Sequence, residues 1–390
     1  MTTSLRPVHL ELAVSCLAEI QRGQRPADAI LREVFRSRPQ MGSKDRAGVS
    51  ELVYGVLRNY RPLEGQVGAD AAALCRAHLQ GAAVDASKLT EAQRLNLPDW
   101  LHAALISQHG AGEVAAIAHA LNQPGTIDLR VNSLRATRDQ ARDRLGVDGL
   151  KPENTPLSPI GLRLPKRAPL QASKAFIEGL IEPQDEGSQL LALLADPQPG
   201  ATVVDYCAGG GGKTLALGAL MRNQGRIHAL DSHAKRLEHL TPRAARAGLT
   251  IVESRVLGQA PYPQELAGKC DVVFVDAPCS SSGALRRNPE LRLRSMALDK
   301  LAATQSRILA SAAQLVRPGG ALVYATCSLA REENEDVVAS FLAGHESFAI
   351  ENAGEVLHRH GVGYQGEFLK LLPNRHGTDG FFAARLRRHS

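Results

Sequence analysis

Through the first third of the chain, apolar residues recur at helical spacing. HLELAVSCLAEIQRG and DRAGVSELVYGVLRNY each gather them on one face, so residues 8 to about 120 are expected to be helical, with no strand-like alternation. Asp45 precedes one apolar-periodic run, where it can cap a helix, and Pro98 in LNLPDWLHAAL marks the opening of another. This region reads as a small helical bundle. After NQPG at 122–125 the texture changes to IDLRVNSL, TRDQARDRLG, GLRLPKRAP and SKAFIEGLIEPQDEGSQ. That order predicts a strand–helix–strand–helix–strand insert of roughly sixty residues, an α+β linker domain.

From Gly200 onward the period alternates between two and 3.6. ATVVDYCA, GRIHALD, CDVVFVDAPC and GALVYATCS are short apolar runs rich in β-branched residues. They are separated by helical patterns such as KTLALGALMRNQ and DKLAATQSRILASAAQLV, and the last strand is GFFAARLRR. Strands buried on both faces and alternating with helices predict a doubly wound α/β domain, whose ligands lie at the carboxyl ends of the strands. The domains expected are therefore 1–122 (helical), 123–182 (linker) and 183–390 (α/β).

Composition narrows the class. With 44% hydrophobic and 22% charged residues among 390, the chain reads as a folded protein with more than one core. Lys and Arg number 46 against 40 acidic residues, a net charge of +6, and only ten of the 46 are lysine. Arginine's planar fork suits phosphate and base edges, which makes nucleic acid a plausible partner. The N-terminus lacks the basic-then-apolar run of a signal peptide, and no apolar stretch approaches the ~20 residues of a membrane helix. Six scattered cysteines without metal-ligand spacing fit free thiols in a reducing cytoplasm and no metal site.

The glycine-rich turn in ATVVDYCAGGGGKTLALG joins a strand to a helix. A phosphate-binding P-loop needs glycine where Cys207 stands, and the dinucleotide fingerprint needs one where Thr214 stands. A turn that brings backbone close to a ligand remains, followed by Asp231 at the end of the next strand, where a carboxylate can take two ribose hydroxyls. This pattern leaves the class of nucleotide open.

Two cysteines suggest the chemistry. Cys279 in DVVFVDAPCSSSG and Cys327 in GGALVYATCSL each end a strand-like run, with Asp276 three residues before the first. Carbon-5 of cytosine is a poor nucleophile until a thiolate adds to carbon-6 and makes the ring enamine-like. Such a site needs a thiolate, a proton donor for the base and a group that helps expel the enzyme. Arg286, Arg287, Arg292 and Arg294 follow the Cys279 loop as a candidate phosphate clamp.

CAGGGGKT, DAPCSSSGALRRNPEL, YATCSLAREENEDVV and HGTDGFFAARL resemble the motifs of the RNA 5-methylcytosine methyltransferases of the RsmB/NSUN family. LRVNSL resembles that family's linker domain, and SKDRAGVSELVYGVLRNY the NusB-like helical domain of its RsmB branch. The resemblance implies a Rossmann-like methyltransferase domain preceded by a small α+β domain and an all-α NusB-like domain. It implies S-adenosyl-L-methionine held by Cys207, Ala208, Gly209, Gly210, Gly211, Gly212 and Lys213, with Asp231 on the ribose and Asp276 near both cofactor and base. Cys327 matches the nucleophile and Cys279 the residue that assists release. Two departures stand out: Gly210 replaces a usual proline, and TIVESRVLGQAPYP has no aspartate for the adenine side, its Glu253 lying too early. The expectation is a monomeric cytoplasmic enzyme methylating cytosine in structured RNA, small-subunit ribosomal RNA first and transfer RNA second. A non-catalytic RNA-binding assembly factor and a P-loop ATPase are the alternatives from other classes.

Overall fold

Helical periodicity in the first third becomes helices at Pro7–Gln21, Ala27–Arg36, Ser43–Arg58, Tyr60–Val67, Ala71–Leu79 and Asp99–Asn122. The structure is a computed structural model that describes residues 6–23, 25–81, 83–258 and 260–389. Leu17, Ile20, Ile30, Val53, Leu57 and Leu74 build the core of this helical unit. Pro98 does open a helix, as the extended residue just before Asp99. Asp45 does not cap one, because the helix already begins at Ser43 and Asp45 sits inside its first turn. There it accepts a hydrogen bond from Arg6 Nη2 at 2.7 Å and faces the positive end of the helix dipole.

The α/β domain expected to run unbroken from 183 is interrupted, because Ser282–Ala297 packs with the helices of 1–124 as one compact unit. Glu290 accepts the Ala27 amide at 3.1 Å, and the Trp100 indole donates to the Arg294 carbonyl at 3.1 Å. Arg292, 2% exposed, donates to the carbonyls of Asn96 (3.0 Å), Leu121 (3.1 Å) and Leu285 (3.3 Å) and to Asn122 Oδ1 (2.7 Å). Burial, with Arg58 nearby, pushes its pKa down to about 10. A guanidinium so enclosed cannot grip a phosphate, and Arg286 is buried too, so the four-arginine clamp is not what the segment forms. Arg292→Ala should instead lower the stability of the helical unit by about 3 kcal/mol or more, since it strands several buried acceptors. Thermal unfolding or limited proteolysis of the variant measures this, and an unchanged transition would contradict it.

The second unit, 125–281 with 298–390, contains two sheets. The smaller is antiparallel, in the order β2-β3-β1-β4, from β1 (Ile127–Val131), β2 (Glu153–Asn154), β3 (Gly161–Leu164) and β4 (Ile181–Pro183). Helix Arg138–Val147, started by a Thr137/Gln140 capping box, and the single turn Lys174–Ile177 accompany it. The larger sheet comprises β5 (Thr202–Asp205), β6 (Arg226–Asp231), β7 (Val252–Val256), β8 (Cys270–Asp276), β9 (Val316–Thr326), β10 (Phe348–Glu351), β11 (Leu369–Leu371) and β12 (Phe381–Arg388). Its order is β10-β12-β9-β8-β5-β6-β7, with β11 paired to β12. Strands β5 to β9 run parallel, and β12 lies antiparallel between β9 and β10. Val203, Val204, Val273, Phe274, Leu322 and Val323 are fully buried, as their unbroken apolar runs require.

This is the Rossmann-like α/β architecture expected. The order in which strands are added reverses between β5, which leads outward through β6 to β7, and β8, which leads the other way to β9. A crevice forms outside the carboxyl ends at such a switch point, and both the glycine turn and the Cys279 loop emerge there. Among the described residues no helix is long and apolar enough to cross a membrane.

Candidate active site

β8 and β9 are neighbours with Asp276 opposite Ala325, and the Ala277 amide donates to the Ala325 carbonyl at 2.8 Å. That register carries the two loops that follow side by side. Cys279 Sγ lies 3.4 Å from Cys327 Sγ, although 48 positions separate them, and both are partly exposed. The pair is electrically asymmetric. Cys327 is shifted below an ordinary thiol, chiefly by the hydrogen bond from Cys279 and also by Lys213, whereas Cys279 is pushed well up by that same hydrogen bond and by burial. These directions favour Cys327 as the more acidic of the two thiols. The third nearby cysteine, Cys207, is pushed far up by burial and by Asp205, Asp276 and Asp231, which makes it a packing thiol rather than a nucleophile.

Lys213 Nζ stands 2.6 Å from Asp276 Oδ2. Burial works against the ammonium, but Asp276 and the neighbouring Cys327 and Asp205 more than offset it and raise its pKa. The lysine therefore brings a fixed positive charge to the cysteine pair.

What holds the two cysteine loops was missed in the sequence. Glu333, fully buried, accepts the Ser280 amide (2.8 Å) and the Gln305 side-chain amide (2.9 Å) on Oε1 and the Ser328 hydroxyl on Oε2. Gln305 also donates to the Pro278 carbonyl at 3.0 Å, and Ser280 and Ser328 hydroxyls meet at 3.1 Å. One carboxylate thereby fastens the residue after Cys279 to the residue after Cys327. Its only trace in the sequence is a run of glutamates in REENEDVV, which resembles a solvated helix start.

The glycine turn fits an adenosine-bearing cofactor. Gly209 (φ 54°) and Gly211 (φ 84°) occupy the left-handed region, and a Cβ on Gly209 would meet nothing within 4 Å, so backbone is open to a ligand there. Asp231 is buried between the Gly209 amide, 2.9 Å from Oδ2, and the His233 amide, 2.8 Å from Oδ1. It links the turn to the end of β6, and a carboxylate keeps further lone pairs for hydroxyls. Beneath the turn, Asp205 accepts the Thr214 hydroxyl at 2.6 Å, while its buried Oδ1 has no partner. Burial raises its pKa to about 7. An orphaned carboxylate oxygen under a glycine turn suits a cationic ligand. Leu257 follows the end of β7 and donates its amide to the Asp231 carbonyl at 2.8 Å. The Leu257 side chain is partly buried against the core of the sheet.

Residues 192–387 match the profile of the 16S rRNA methyltransferase RsmB/F family, and residues 97–171 that of the ferredoxin-like domain of RsmF/B-like methyltransferases. A probable ribosomal RNA small subunit methyltransferase B of Synechocystis is 34% identical over 357 residues, covering 87% of this chain and 75% of that one. The probable counterpart in Bacillus subtilis is 31% identical over 346 residues, covering 87% and 74%. A methyltransferase homologue from Pyrococcus horikoshii, solved by crystallography, superposes with a TM-score of 0.65 at 28% identity, covering 76% of this chain and 97% of its own. With its Rossmann-like sheet and glycine turn, the chain belongs to the RsmB/F family and is an S-adenosylmethionine-dependent RNA methyltransferase.

Proposed function

We propose that the enzyme methylates carbon-5 of cytosine in 16S small-subunit ribosomal RNA through a covalent adduct on Cys327. The observation that carries this reading is the cysteine pair at 3.4 Å with opposite proton affinities, beside Lys213 and Asp276. Cys327, as thiolate, adds to carbon-6 of the base. Asp276 accepts from the exocyclic amine, a donor that cytosine has and uracil lacks, and Lys213 balances the negative charge that the addition places on the ring. S-adenosylmethionine, held by 207–213 and Asp231, supplies the methyl group to carbon-5. Loss of the carbon-5 proton to solvent re-forms the carbon-5–carbon-6 double bond and expels Cys327 as thiolate, and Cys279, 3.4 Å away, is the group placed to assist that release. A cytosine in a duplex is hidden, so the target lies in a loop or is flipped out. The helical region 1–122, with 282–297 packed into it, acts as a NusB-like RNA-binding domain, 123–182 as the linker and the rest of 183–390 as the catalytic domain, in a monomer.

Transfer of labelled methyl to separated ribosomal and transfer RNA from a strain lacking this gene, followed by nucleoside analysis, tests the reading. Labelled 5-methylcytosine in 16S RNA is expected. Label only in transfer RNA would move the substrate, and label in any other nucleoside would overturn the cytosine chemistry.

A further inference from the structure

The cofactor turn is gripped from the small sheet. Arg243, on the helix Leu240–Ala247, donates through Nη1 to the Gly210 carbonyl. Its Nε and Nη2 both donate to Glu182 Oε1, at 3.1 and 2.8 Å. Glu182 belongs to β4, where it lies opposite Arg130 of β1, is 8% exposed and takes Arg246 on its other oxygen. A Cβ at Gly210 would come 3.2 Å from Arg243 Nη1, so the guanidinium fills the space a side chain there would enter. Four successive glycines lose more backbone entropy on ordering than any other tetrapeptide. Asp231 fixes the turn at the Gly209 amide, and Arg243 fixes it one residue later at a carbonyl.

We infer that Arg243, held by Glu182, is a positioning residue that pre-orders the glycine turn for S-adenosylmethionine and ties its order to the small antiparallel sheet. The inference rests on the assignment of 207–213 to that cofactor. It places the cost of losing Arg243 on cofactor binding, because the bridge touches the turn and none of the reacting groups.

Calorimetric titration of S-adenosylmethionine into the full chain, with steady-state kinetics, tests it. Arg243→Ala should weaken cofactor binding about tenfold, equivalent to about 1.4 kcal/mol, with the loss falling on KM for the cofactor rather than on kcat. Arg243→Lys should recover little, since one ammonium cannot bridge both acceptors as the fork does. Gly210→Ala should weaken binding in the native background and cost nothing further once Arg243 is alanine. An Arg243→Ala protein that melts normally and binds the cofactor as tightly as the native chain would overturn the inference, and so would additive losses in the Gly210 pair. Asp231→Asn serves as the control. If it too binds normally, the cofactor assignment of the turn fails; if it alone weakens binding, only the role of Arg243 fails.

Discussion

Cys279→Ala is expected to stop turnover while accumulating a covalent protein–RNA adduct that survives denaturing electrophoresis, whereas Cys327→Ala forms no adduct at all. Attack requires a thiolate, and Cys327 is the more acidic member of the pair, whose sulfurs lie 3.4 Å apart. Removing Cys279 takes away the hydrogen bond between them but leaves Lys213 and the Ser281 hydrogen bond to favour the Cys327 thiolate, so addition to carbon-6 continues and release fails. Removing Cys327 takes away the nucleophile, and the methylation rate should fall about 10⁴-fold or more, on the scale seen when covalent nucleophiles are deleted. Adduct yield from Cys279→Ala should also rise with pH as Cys327 ionises, with a midpoint above that of the native pair because the stabilising hydrogen bond is gone. Adduct in Cys327→Ala and none in Cys279→Ala would exchange the two roles. Absence of adduct in both, with RNA bound, would remove covalent catalysis.

The parts of the site that local pattern encodes were legible in the sequence. A strand, a glycine run and a helix start mark the cofactor turn because the backbone there must enter φ near 54° and 84°. Asp231, Asp276, Cys279 and Cys327 each sit at the end of an apolar run, and a parallel sheet brings such ends to one edge. The residues that hold these groups were not legible, because their meaning depends on partners far away in the chain. Glu333 meets Ser280 across 53 positions, and Arg243 meets Glu182 across 61. Arg292 was misread for the same reason. In RRNPELRLR it looks like one cation of a basic surface, yet its acceptors at Asn96, Leu121 and Asn122 lie about 170 or more positions earlier and enclose it. Charge in sequence says nothing about burial until the partners that desolvate it are known.

Glu333→Ala should cripple the enzyme without touching a reacting atom. The carboxylate is the common acceptor for the Ser280 amide, Gln305 and the Ser328 hydroxyl, so its removal takes a buried acceptor from the Ser280 N–H and from one of the two Gln305 amide hydrogens. Each such group costs about 1–3 kcal/mol, which puts the loss of stability at about 2–6 kcal/mol. The loops after Cys279 and Cys327 then lose their shared anchor, and a displacement of about 1 Å between the two sulfurs lowers kcat about 10²-fold. Glu333→Gln separates anchoring from mere presence of charge. Its carbonyl oxygen keeps both donors on one side, and its amide can donate to Ser328, whose hydroxyl turns to Ser280, 3.1 Å away. Glutamine should therefore restore most of the kcat and most of the melting temperature. The informative readout is adduct formation in a Cys279→Ala background, which isolates the attack step. If Glu333→Ala adds there as fast as the parent, Glu333 serves folding alone; slow addition rescued by glutamine identifies it as the residue that sets the distance between the two thiols.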